Sequence, residues 1–194
     1  MLKDLVTRNR SYRRFREATA IELTTLRALV ELARMSASAR NLQPLRYVLC
    51  CEPVTNARIF GCLAWAGYLT EWPGPGEGER PTGYIVVLSD RTLSQTYAGV
   101  DAGLAMQNLL LGAVERGMGG CIIASVRRDA LRAILDIPEQ FEILYVVALG
   151  EPSETVTLEE VGPAGDVKYW RDRESVHHVP KRRLADVILD ERGA

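Results

Sequence analysis

The stretch YIVVLSD, residues 84–90, is apolar from Tyr84 to Leu88. A strand with one face in water alternates apolar and polar residues, so a continuous run predicts a strand covered on both faces. LRYVLCC (45–51), GCIIAS (120–125) and FEILYVVALG (141–150) read as three more such strands. Helical spacing fills the gaps between them. Val54, Ala57, Phe60 and Ala64 lie on one side of a helix predicted over about 53–67, with Ile59 and Leu63 widening that face. Leu104, Met106, Leu109, Leu110 and Val114 surround the middle of a long helix over about 97–116, which predicts burial on most sides. A short helix follows near 129–135. This order predicts an α/β or α+β layer with the sheet buried on both faces.

Upstream, a short helix is expected near Leu2 to Arg8, and T-A-I-E reads as a capping box, with Thr19 as N-cap and Glu22 three residues on. Leu23, Leu26, Leu29, Val30 and Ala33 then recur at helical spacing to about Met35. EWPGPGEGERP (71–81) is too rich in Gly and Pro for a helix or a central strand, and is a loop long enough to act as a lid. Gly117, at the start of GMGG, fits the cap that ends a helix. Beyond Pro152 periodicity fades until RRLADVIL (182–189), a candidate short helix. A tail with so little core of its own is expected to be poorly ordered in a monomer and fixed when wrapped round a partner.

With 194 residues and 47% hydrophobic content the chain is expected to form one domain over 1–194, with about 152–194 as a C-terminal extension. The balance of 24 basic and 25 acidic residues gives no net field for nucleic acid or an anionic membrane. Cys50, Cys51, Cys62 and Cys121 show no metal-ligand spacing. No apolar run approaches the length of a membrane span, and the start lacks a signal-peptide pattern, which predicts a reduced, cytoplasmic protein.

P-loop and hydrolase-elbow motifs are absent. His177 and His178 are adjacent, so they cannot share one face of a regular element, and a metal site there is not expected. Two basic clusters carry more information: RNRSYRRFR (8–16) holds five arginines, and PKRR (180–183) adds Lys181, Arg182 and Arg183. Arg suits bidentate phosphate contacts and Lys adds a point charge. Each cluster taken alone also fits a solvated surface. SASARNLQPL (36–45) is equally two-sided: a polar connector, or a set of donors and acceptors suited to a flat heteroaromatic ligand.

NRSYRRF near the start, SASARNLQPL, DAGLAMQNLLLGAVERGMGGC in the middle and HVPKRRL near the end together resemble the flavin-dependent nitroreductase family. The resemblance spans nearly the whole chain. It implies an α+β fold with a central mixed β-sheet flanked by helices and a C-terminal tail embracing the partner of a homodimer. It further implies FMN at the dimer interface, with Ser38, Arg40 and Asn41 meeting the isoalloxazine and ribityl portion. By the same resemblance Arg10, Ser11 and Arg13 approach phosphate, ribityl and the pyrimidine side of the ring. Lys181 and Arg183 close on the phosphate, and backbone groups near Ala124 and Ser125 lie close to N5. The chain departs from the family pattern at Ala37, where proline is common, and at Leu45, where tryptophan is frequent.

The implied activity belongs to the cofactor, and no protein acid/base pair is expected. NADH or NADPH reduces FMN, and the electrons pass to a nitroaromatic, quinone or other conjugated electrophile in ping-pong turnover. Arg13 is the candidate for tuning the potential. Trp65, Tyr68 and Trp72 read either as a cover over the flavin or as anchors for the Gly/Pro loop. An alternative within the resemblance is a flavin-binding protein that stores, senses or processes FMN without general reductase turnover.

Overall fold

Strand β2, Gly83–Asp90, is buried at every position in a computed structural model of the chain, which describes residues 1–93 and 95–193. It pairs with β1, Leu45–Cys50, on one side and with β4, Phe141–Gly150, on the other; β3, Gly119–Ile123, completes the order β1-β2-β4-β3. All three pairings are antiparallel. The sheet expected to be mixed is therefore antiparallel throughout its four strands: β2 and β3, joined through α4, run in the same direction, and β4 lies between them.

The period of two distributes β2 between two cores. Tyr84, Val86 and Leu88 face α3, Pro53–Phe60, and α5, Arg128–Leu135, while Ile85 and Val87 face α2, Leu23–Arg34, and α4, Ala98–Glu115. The continuous apolar run thus fills both layers. Helix α1, Leu2–Arg8, lies where expected and contacts α4. Gly117 at φ +74 ends α4, with its N–H bonded to Val114 O.

Several local expectations give way to tertiary contacts. Thr19 does not cap α2: its hydroxyl donates to Glu151, its carbonyl accepts from Thr82, and Glu22 is the N-cap residue. Ile21 is buried against Gly83, so the chain stays extended for three residues longer than the capping box implies. Helix α3 ends at Phe60 because Leu63 bridges Val126 and Ala64 N–H bonds Ser125 O, contacts that a continued helix could not make. Leu104 is 46% exposed, so α4 is not enclosed all round.

The C-terminal tail is also more structured than its weak periodicity suggests. Strand β5, Val156–Glu160, pairs in parallel with β7, His177–Lys181, which pairs antiparallel with β6, Trp170–Arg171. This second sheet folds onto its own chain through the Phe15–Pro152 bridge and through His177, which is 1% exposed. The two longest stretches of the tail exposed at every position are 162–168 and 181–193, the latter including α6, Leu184–Val187.

The Gly/Pro loop is pinned down and does not hang free. Gly78 N–H donates to Glu17 Oε2 at 2.6 Å, Phe15 N–H to Glu79 O, and Arg14 pairs with Glu79. Gly74, at φ +114, lies so close to the Trp65 ring that a Cβ would come within 2.7 Å of it.

Candidate functional site

The segment after α1 runs alongside β3, with Tyr12 N–H bonded to Gly120 O and Ser11 bridged to Gly120. Opposite it stands β7. Between the two lies a cavity of about 370 Å³, floored by Gly120, Ile122 and Leu110, with Gln107 entering from α4. Its size falls in the range of ligand clefts. Arg10, Ser11 and Arg13 form one wall, and Tyr169, His177, Val179 and Lys181 the other.

Three cations thus share one cavity. Arg10 Nη2 is bonded to Val6 O, but its buried Nε has no protein acceptor. Burial pulls the Arg10 guanidinium below its ordinary pKa, a cost that a bound anion would offset. The cationic, partly apolar cleft is chemically suited to a ligand with a phosphate at one end and a flat ring at the other.

Arg13 is 9% exposed and is held from several sides. Its Nη1 donates to Ser11 O and to His177 Nε2, each at 3.2 Å, and its guanidinium sits 4.8 Å above the Tyr169 ring centre. The carboxylate of Glu154 accepts the backbone N–H groups of Arg13 and Arg14 and pairs with Arg171 at 2.7 Å. Burial, reinforced by the nearby charges of Arg13, Arg171 and His178, pushes His177 down to about 4. Its ring is therefore neutral at neutral pH, with Nε2 as the acceptor. His178 points the other way, stacked on Trp170 and bonded to Asp172 and Glu159. Among the described residues no cluster of three or more His, Cys, Asp or Glu is placed to hold a metal ion.

Four of the ten residues singled out from the sequence meet here: Arg10, Ser11, Arg13 and Lys181. Ser38 lines a different cavity, between α2, β1 and α4, where its Oγ donates to Asp101 Oδ2 at 2.6 Å. Arg40 and Asn41, both exposed, adopt left-handed backbone at φ 54 and 55 in a single turn of 3-10 helix, Ala39–Asn41. Asp101 and Gln107 are six residues apart on α4, about 9 Å along the axis and about 120° round it. The two cavities therefore open on different faces of one helix. Ala124 and Ser125 are exposed just past β3, and Arg183 is exposed and paired with Asp186.

Residues 6–66 and 85–151, more than half of the chain, match the model described as Nitroreductase family. The chain belongs to the nitroreductase family. It is 32% identical over 80 residues to an NADPH-flavin oxidoreductase of Vibrio harveyi, covering 40% of this chain and 33% of that protein. That match thus spans about a third of the relative's length. A longer match, 26% identical over 196 residues, links 87% of the chain with 95% of an NADH dehydrogenase of Thermus thermophilus. An FMN-dependent nitroreductase of Clostridium difficile R20291 shares the fold at TM-score 0.61 and 18% identity, over 77% of this chain and 87% of that one.

The family-matched stretches contain Arg10–Arg13 but not β7. His177, Tyr169 and Glu154 are site-forming residues that sequence reasoning missed. No local pattern announces them, because their importance comes from the tail folding back on the arginine segment. Trp72 does not line the cavity: it packs beside the guanidinium groups of Arg171 and Arg14, 4.4 and 5.8 Å from its ring centre. It anchors the Gly/Pro loop.

Proposed function

We propose that the chain is an FMN-dependent oxidoreductase that uses NADH or NADPH and reduces nitroaromatic, quinone or other conjugated electrophilic acceptors. The observation that carries this reading is the cavity in which Arg10, Arg13 and Lys181 converge beside an apolar floor. Membership of the nitroreductase family and the flavin named in two of its relatives support it. When bound, FMN would supply hydride acceptance from the nicotinamide and hydride delivery to the acceptor in ping-pong order.

The protein's own part is binding, orientation and charge. Arg10 and Lys181 would take the phosphate, with Ser11 beside the ribityl chain. Arg183 would join them by exchanging Asp186 for that anion. Arg13 would stand at the pyrimidine side of the ring, where a fixed cation favours a reduced, anionic ligand. Backbone N–H groups at Ala124 and Ser125 would face the reacting edge.

Ser38, Arg40 and Asn41 would reach the ligand from a second copy of the chain. The separation of the two cavities round α4 supports this division, as does the exposure of Val100 and Leu104 on the same helix at 61% and 46%. The working unit in this reading is a homodimer of one domain over 1–194, in the cytoplasm. Its four cysteines are free thiols, which suits a reducing compartment. Among the described residues no helix is long and apolar enough to cross a membrane.

The test is to purify the protein without added flavin, record its visible spectrum and add NADH, then NADPH, without oxygen. A yellow chromophore released as FMN and bleached within the mixing time supports the reductase and identifies its donor. Bound FMN that neither donor reduces supports storage or processing of FMN instead. A colourless protein that refuses FMN overturns both readings. A stable FMN-loaded monomer in sedimentation would remove the shared site.

A further inference from the structure

His177 and Glu154 lie outside every residue assigned above to ligand contact, yet both are nearly enclosed and both touch Arg13. Glu154 has a side chain 1% exposed, and its carboxylate is engaged by Arg171 and by the backbone of Arg13 and Arg14. It fixes the main chain of the arginine segment and is itself neutralised by Arg171. Among the described residues no carboxylate comes within ion-pair distance of the Arg13 guanidinium. The acceptors of that guanidinium are both uncharged, the Ser11 carbonyl and the ring of His177 at Nε2, each at 3.2 Å, with Tyr169 beneath; of the two, only His177 is a side chain.

We propose that His177 is a positioning residue for Arg13: a neutral acceptor that holds the guanidinium in the cavity wall without cancelling its charge. A carboxylate in its place would grip Arg13 more tightly but compensate the charge, because opposite unit charges in contact attract strongly where water is largely excluded. An apolar side chain would leave the charge but loosen the geometry, since a long arginine side chain has many rotamers to regain. Only a neutral acceptor gives both. Tyr169 reinforces the arrangement by packing against the His177 ring at a tilt of 47°, 5.2 Å between centres. The low pKa of His177, about 4, keeps the acceptor uncharged across the neutral range.

The proposal rests on the reading that Arg13 faces bound FMN, and the experiment separates the two. Three variants are needed: H177Q, which keeps a neutral acceptor, H177E, which adds a charge, and H177L, which removes the acceptor. The first measurement uses protein without flavin: 15N NMR of the arginine Nη groups. Arg13 should give separate, slowly exchanging Nη signals in the native and H177Q proteins, and collapsed signals in H177L. Unchanged Arg13 signals in H177L overturn the positioning role whatever the flavin does.

The second measurement is the ratio of dissociation constants for oxidised and reduced FMN, from fluorescence titration and an equilibrium redox titration. H177Q should stay within about twofold of native, while H177E should disfavour the reduced form by about tenfold or more. An equal ratio in H177Q and H177E overturns the charge argument. If H177L fails to fold, the Gln and Glu variants decide by themselves. Native protein that orders Arg13 but never binds FMN overturns the proposed function and leaves the positioning role standing.

Discussion

Ser38 Oγ donates to Asp101 Oδ2 at 2.6 Å and ties the loop before β1 to α4 across 63 positions of sequence. Asp101 Oδ1 also accepts the Ala39 N–H at 3.1 Å, so one buried carboxylate, 3% exposed, fixes both ends of the Ser38–Ala39 unit. Ser38 Oγ in turn accepts the Gln43 N–H. The serine is a clamp for the strained turn that carries Arg40 and Asn41.

Replacing Asp101 with alanine should therefore lower stability by about 2 kcal/mol, the loss of two hydrogen bonds to a charged acceptor. It should also weaken FMN binding, because the turn loses its anchor. Thermal unfolding and flavin titration check the two effects. Unchanged affinity in a destabilised variant would show that the Ser38–Asn41 turn has no part in the flavin site.

Arg13→Ala removes the best-held cation from the cavity. The reduction potential of bound FMN should fall by about 30 mV or more, the equivalent of about 1.4 kcal/mol for a two-electron couple. A redox titration against a reference dye measures it. An unchanged potential with FMN still bound would end the assignment of Arg13 to the flavin.

The adjacent histidines should titrate in opposite senses. His178 is raised, first by its bond to Asp172 and then by Glu159, whereas burial lowers His177 to about 4. A raised histidine stabilises the fold below its unfolded value, about 6.5, and that contribution is lost as pH rises through its folded pKa. A lowered one contributes above 6.5, and its contribution drains away as pH falls toward 4. NMR titration of the two Hε1 signals should show His178 midway above 6.5 and His177 still neutral at pH 5.5. In H177Q the acid-side loss of stability between about 6.5 and 4 should shrink.

Gly120 is where β3 becomes the cavity floor. A Cβ there would come within 2.7 Å of Ala148 O and 2.8 Å of the Leu110 side chain, and the carbonyl belongs to the paired strand β4. Gly120→Ala should cost about 2 kcal/mol through forced separation of the strands, read as a lower urea midpoint. A neutral result would mean that β3 can move outward without loss.

Trp72→Ala should lower the thermal midpoint, since the ring packs beside Arg14 and Arg171. The ratio of kcat/KM for a quinone and a nitroaromatic should stay unchanged. A shifted ratio would return the loop to the role of a cover over the acceptor.

The parts of the fold legible in the sequence are those with dense local patterning. The run from Tyr84 to Leu88 predicts burial on both faces, and the two cores confirm it residue by residue. The helix over Leu2–Arg8, the strand over Phe141–Gly150 and the Gly117 cap are equally local. The Thr19 capping box misleads because Glu151 and Thr82 outcompete the helix for that residue. The tail misleads because β6 has two residues and β7 contains Pro180, signals too weak for a strand prediction. Within the site, the arginines stand out by residue type, while His177 and Glu154 matter only through partners 164 and 141 positions away.

Those separations also order events during synthesis. Arg13 leaves the ribosome long before Glu154 and His177 are joined to the chain, so its segment spends most of translation without the groups that will enclose it. Closing so long a loop is entropically costly and is repaid only when the distant contacts form. Any product that terminates before residue 177 can carry both central cores and the first arginine cluster, yet it cannot contain the Arg13–His177 bond. The cavity is therefore complete only once translation has passed Lys181: a late segment certifies an early one.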